Sequence, residues 1–281
     1  MPRKLAYGLQ IMLALALSVG ILAAENFYGD VARQIGGPHV AVTTVLNNPD
    51  EDPHLFEASP SVARAVSGAQ IVIYNGIDYD PWVDKLLSAA PNTARITIDV
   101  GQAVGKEPGD NPHIWYDPHT MLALAAQLSL DLTRVDPANR ADYARRLQAF
   151  RQSLQPIETR IATLHHRFAG TPVTATEPVF GYMLDALGLQ DRNMRFQIAV
   201  MNNTEPGARE VADFENDLKT RQVKMLVYNS QASDPIAQRM LGIAKGAGIP
   251  VVGATETEPA GMTYQAWMNR ELDAVQGALS K

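Results

Sequence analysis

The sequence predicts an α/β protein made of two parallel-sheet (βα) lobes joined by one long rigid helix. Apolar, β-rich runs at 19–24, 40–46, 71–74 and 96–100 alternate with segments of helical composition, the pattern of parallel βα units. Over 136–168, Tyr143, Leu147, Phe150, Leu154, Ile157, Ile161, Leu164 and Phe168 recur at alternating steps of four and three, which places them on one face of one helix. A second α/β series follows that helix.

Taken in order, the chain opens with Arg3 and Lys4 ahead of an apolar stretch from 5 to about 18, which reads as a secretory signal. Apolar residues continue through Ile21, Leu22 and Ala23, so an uncleaved membrane anchor is the competing reading. Cleavage after Ala16 or Ser18 satisfies the small-residue rule and leaves 19–24 as a first buried strand. Residues 26–35 then form a short helix stopped by Gly36-Gly37, and Ser59-Pro60-Ser61 opens another. At 1.5 Å per residue the helix over 136–168 would reach roughly 45 Å, enough to run along two lobes; Pro156 is where it should bend. In the second series the expected strands are 173–175, 196–200, 225–228 and 250–254, with helices near 205–220 and 235–246 and a closing helix over 263–279. The expected organisation is therefore signal peptide 1–18, first lobe 19–135, linking helix 136–168 and second lobe 169–281.

With 281 residues and 46% hydrophobic content, the chain can bury a sizeable core. Its formal charge of -6 and the lack of a Lys/Arg-rich run beyond the chain start exclude a polyanionic partner such as nucleic acid. The count of Cys 0 excludes disulfides, thiolate metal sites, a cysteine nucleophile and a lipid-bearing cysteine. Any bound metal must be held by nitrogen and oxygen. Export to the periplasm, without lipidation, is the expected location.

Of His 6, two histidines share a context: Asp52-Pro53-His54 and Asn111-Pro112-His113. Proline fixes its own φ and holds the preceding residue extended, so each imidazole is presented from a stiff loop. In the second half, Glu177 and Glu258 stand just past apolar strands, where ligands gather in open α/β sheets. Each alone reads equally well as an acid stabilising a helix N-terminus. Two imidazoles and two carboxylates would form a charge-neutral cage for Mn²⁺, Fe²⁺ or Zn²⁺. Asp117 stands close enough in sequence to orient His113. His165 and His166 fall at the end of the long helix, where a cation complements the dipole, and His119 starts a helix.

Asp-Pro-His54 with Glu57-Ala-Ser-Pro, Asn-Pro-His113-Ile-Trp-Tyr-Asp-Pro, Glu177-Pro-Val-Phe-Gly-Tyr and Glu258-Pro-Ala-Gly, in that order, resemble the zinc/manganese-binding solute-binding proteins of metal ABC importers. The resemblance spans nearly all of the chain after the signal. It implies a metal site at the lobe interface built from His54, His113, Glu177 and Glu258, with Glu256 a neighbouring alternative for the last position. It further implies a monomer, with no catalytic role, that captures Zn²⁺ or Mn²⁺ (Fe²⁺ being a third candidate) and hands it to a membrane permease. Glutamate at 177 resembles the manganese/iron branch more than the zinc branch, and the loop 101–110 lacks the histidines many zinc members carry. The competing classes are a secreted metallohydrolase, which a turnover assay would reveal, and an adhesin of the same fold, in which metal uptake would not depend on a transporter.

Overall fold

Short β-rich runs become strands of two open sheets, and the amphipathic segments between them cover the faces. The computed structural model describes residues 18–49, 53–231 and 234–281, and not the side chain of His54. The signal expected over 1–18 therefore lies, but for Ser18, outside the described residues.

The first lobe contains β1 (Val19–Glu25), α1 (Asn26–Gly36), β2 (Val40–Leu46), α2 (Pro60–Gly68), β3 (Ile71–Tyr74), α3 (Pro81–Ala89), β4 (Ile96–Asp99), α4 (Val100–Ala103) and α5 (Thr120–Val135). Its strands lie in the order β2-β1-β3-β4, all parallel. The chain moves outward from β1 to β2 and returns to β3 on the other side of β1. That reversal makes a crevice at the carboxyl ends of β1 and β3, where such sheets bind ligands. The expected glycine stop of α1 is present: Gly37 has φ 56, and its N–H closes onto Arg33 O.

The helix α6 (Arg140–Phe168) is continuous through Pro156. Its 29 residues extend about 43 Å. Tyr143, Phe150, Leu154, Ile157, Ile161 and Leu164, the face the spacing selects, are its buried residues.

The second lobe contains β5 (Pro172–Ala175), α7 (Gly181–Ala186), β6 (Gln190–Arg192), α8 (Met194–Met201), α9 (Ala208–Lys219), β7 (Leu226–Asn229), α10 (Pro235–Ala247), β8 (Val251–Ala254) and α11 (Tyr264–Leu279). Its sheet is again parallel, ordered β6-β5-β7-β8. One expectation fails here, since 196–200 is helical and the edge strand is the polar Gln190-Asp191-Arg192. Phe196 and Val200 are buried four residues apart, as on one helix face. With three polar residues, two of them exposed, β6 carries no hydrophobic signal.

One apolar cluster runs from Ile21 and Ile73 of the first sheet, through α5 and α6, to Val173, Trp267 and Val275 of the second lobe. Trp115, Tyr116, Phe27 and Trp267 meet at its centre with ring centroids 4.8 to 6.1 Å apart. Wide opening of the lobes would expose this shared core, so the architecture resists a large hinge motion.

Candidate metal site at the lobe interface

The carboxyl ends of both sheets face one another across the interface, and the loops leaving them bring distant residues together. From the first lobe, residues 111–113 follow β4 and α4 and lead into a 3-10 turn at Ile114–Tyr116. His113 is completely buried. Its backbone N–H and its ring Nδ1 both donate to Asn111 Oδ1, at 3.1 and 2.6 Å. Its other ring nitrogen, Nε2, therefore faces Glu256 Oε2 at 3.4 Å.

Glu256, from the loop after β8, is held by three side chains from two other parts of the chain. Tyr79 OH donates to Oε2 at 3.0 Å, and Asn229 Nδ2, at the end of β7, donates to Oε1 at 2.7 Å. Its backbone N–H donates to Gln231 Oε1 at 2.6 Å, and Thr257 N–H shares that acceptor at 3.1 Å. The same Asn229 amide reaches Glu177 Oε2 at 3.4 Å. Glu177 stands just beyond β5, ahead of a 3-10 turn at Pro178–Phe180. Two carboxylates of the second lobe thus converge on one amide beside an imidazole of the first.

Glu258 is placed differently. Its backbone N–H and C=O are both bonded to the Asn26 side chain, at 2.9 and 2.7 Å, so its backbone ties the second lobe to α1 of the first. Its carboxyl is buried, and among the described residues Oε2 finds no donor. Burial pushes this carboxyl up to about 9; the nearby Asp30 charge adds to the rise and Arg33 opposes it. This burial favours the neutral acid over the carboxylate.

His54 lies in a 3-10 turn at Pro53–Leu55, and the position of its imidazole is outside what is described. Asp117 does not hold the His113 ring: its Oδ1 accepts the N–H of His119, while Asn111 takes the imidazole proton. His119 is the N-cap of α5, as expected, and His165 Nδ1 bonds Ala186 O at 3.2 Å.

Aromatic rings and buried acids surround the site. Trp115 and Tyr79 stand against the His113 ring at 5.2 and 6.1 Å between centroids. Burial and the Glu256 charge push the Tyr79 hydroxyl well above its ordinary value, so it remains a donor. Further back, Glu25, at the end of β1, and Asp80 are both buried. Burial raises both carboxyls, and the Asp80 charge raises Glu25 further, so two charges on this pair are disfavoured. Asp80 accepts the N–H groups of Asn75 and Gly76 at 2.7 and 2.8 Å, which suits the charged partner.

A family model described as ZnuA, zinc-uptake complex component A, periplasmic, matches residues 21–278. The chain belongs to that family. Its members are the substrate-binding proteins of metal ABC transporters and not enzymes. Among curated relatives, the manganese-binding lipoprotein MntA of Halalkalibacterium halodurans is 25% identical, with 93% of this chain and 88% of the relative covered. The metal ABC transporter substrate-binding lipoprotein SloC of Streptococcus mutans is 24% identical, over 93% and 90%. Among solved structures, the periplasmic zinc-binding protein TroA of Treponema pallidum superposes with a TM-score of 0.79 at 16% identity, covering 94% of this chain and 100% of that one. The fold is therefore that of the zinc-uptake family, two parallel-sheet lobes on a long connecting helix.

Sequence reasoning did not single out Tyr79, Asn229 or Gln231. Asn229 and Gln231 follow the apolar run 226–228 just as Glu177 follows its strand, so the rule that selected Glu177 could have flagged them. Tyr79 carries no such signal; it reaches the site only because the turn after β3 folds back on it.

Proposed function

We propose that this chain captures one divalent transition-metal ion outside the cytoplasm, in the periplasm, and delivers it as a monomer to the membrane permease of an ABC importer. His113, Glu177 and Glu256 hold the ion, with His54 as the fourth ligand. The observation that carries this reading is the buried approach of His113 Nε2 to Glu256 Oε2 at 3.4 Å. Donors about 2.1 Å from one ion and separated by a tetrahedral angle stand about 3.4 Å apart. An imidazole whose Nδ1 proton is already committed offers a lone pair toward that carboxylate, an arrangement that favours a cation between them.

Glu258 is the weaker candidate for the last ligand position. Its backbone is tied to α1 through Asn26, and burial beside Asp30 favours its neutral form, whereas a metal takes the ionised carboxylate. Zn²⁺, Mn²⁺ and Fe²⁺ all suit nitrogen and oxygen donors, and the two carboxylates favour the harder manganese ion, while raw affinity favours zinc. Relatives named as lipoproteins carry lipid; this sequence, with Cys 0, is read as secreted through its N-terminal segment without such a lipid.

Titration of chelator-free protein with Mn²⁺ and with Zn²⁺, in competition against each other, tests the reading. One ion should bind per chain and raise the melting temperature, because it binds the folded state. Absence of stoichiometric uptake of either ion, or full affinity retained in Glu177→Ala, would overturn it.

A further inference from the structure

Asn111 makes more bonds across the lobe interface than a loop residue needs. Its Oδ1 takes two N–H groups of His113, at 3.1 and 2.6 Å, while its Nδ2 donates to Pro178 O, next to Glu177, at 2.7 Å. Its backbone carbonyl accepts Tyr182 OH at 2.8 Å. A turn-forming asparagine would account for the bond to the His113 backbone alone. The ring bond and the two bonds to the second lobe require another explanation.

We propose that Asn111 is a positioning residue serving both lobes: its single amide selects which His113 nitrogen meets the metal and fixes where the Glu177 loop stands. The inference rests on the metal-capture reading. The amide can point only one way. Turned over, its NH2 would oppose the backbone N–H of His113 and its oxygen would oppose Pro178 O, so both ends would repel. In the orientation seen, His113 Nδ1 must carry the ring proton, and Nε2 is left as the ligand atom. The sequence also keeps room for this amide. A Cβ added at Gly181 would stand 3.0 Å from Asn111 Nδ2, a distance that would force the amide to shift. Asn111 further lines the cavity of about 360 Å³ between the lobes, together with Pro112, Pro178, Gly181 and Tyr182, so the amide stands between that cavity and the imidazole. A group in this place makes the approach of one lobe to the other and the tautomer of the ligand a single event.

The test uses the full chain, Zn²⁺ as probe and two readouts: affinity by indicator competition, and the His113 tautomer by 15N imidazole shifts in metal-free protein. Asn111→Ala should weaken Zn²⁺ binding about 10–100-fold and replace the Nδ1–H tautomer by a mixture. Asn111→Asp keeps the acceptor for Nδ1–H but loses the donor to Pro178 O, so it should restore the tautomer and only part of the affinity. Gly181→Ala should weaken binding without touching any ligand, and it carries the test together with Asn111→Asp should Asn111→Ala not fold. Wild-type affinity and an unchanged tautomer in Asn111→Ala, or in both of the other variants, would overturn the role of Asn111. Failure of the wild-type chain to take up Zn²⁺ would instead overturn the metal-capture reading beneath it.

Discussion

The first lobe orders its sheet β2-β1-β3-β4 and the second β6-β5-β7-β8, so one arrangement is repeated, but the two lobes differ in how they mount their functional groups. In the first, the imidazole of His113 is oriented locally, by a proline before it and an asparagine two residues away. In the second, Glu177 and Glu256 are oriented by side chains from elsewhere in the chain: Asn229 at the end of β7, Gln231 just beyond it, and Tyr79 of the first lobe. Only the local kind of mounting can be read along a sequence. The sheets show the same contrast, since the seven-residue edge strand β2 is apolar enough to be seen in advance and the three-residue β6 is not.

The comparison breaks most readily at the proposed ligands. His113→Ala and Glu256→Ala should each weaken metal binding by more than about 100-fold, beyond the loss typical of supporting residues. Isothermal titration with Mn²⁺ and Zn²⁺ checks this, and equal tolerance of both substitutions would show that the lobes do not meet at a shared ion.

Asn229→Ala comes next, with an expected loss of about 10–100-fold, because one amide serves both second-lobe acids. A loss confined to less than threefold would mean that these carboxylates are held in place without it.

The polar strand β6 provides a smaller, pH-dependent difference. Burial pushes the Asp191 carboxyl from 3.8 up to about 7; the Asp185 charge adds to this and the Gln197 amide opposes it. The folded chain then holds a proton that the unfolded chain releases, so stability should fall as pH rises from about 4 to about 7 and change little from this group above that. Asp191→Asn should flatten that part of the curve in melts run from pH 4 to 8. Parallel wild-type and variant curves would remove Asp191 from the account.

The smallest effect is expected at Glu258. As a neutral buried acid it should accept glutamine, so Glu258→Gln should keep metal affinity within about threefold at pH 7, in contrast to Glu256→Ala. A loss at Glu258→Gln as large as at Glu256→Ala would return Glu258 to the ligand set.

By itself the sequence determined the two α/β series, the buried face of the long helix and the mounting of His113, because each depends on neighbours a few residues apart: periodicity, glycine stops and the stiffness around a proline. It also brought Glu177 and the pair Glu256 and Glu258 to the carboxyl ends of strands. Only the tertiary structure distinguishes the surroundings of those last two acids. They stand two residues apart on one loop, but Gln231, Asn229 and Tyr79 turn one toward His113, and Asn26 ties the other to α1 near Asp30. The physical reason is that a carboxylate's charge and direction are set by the groups that surround it in space, and those groups come from parts of the chain with no fixed spacing from the acid they hold.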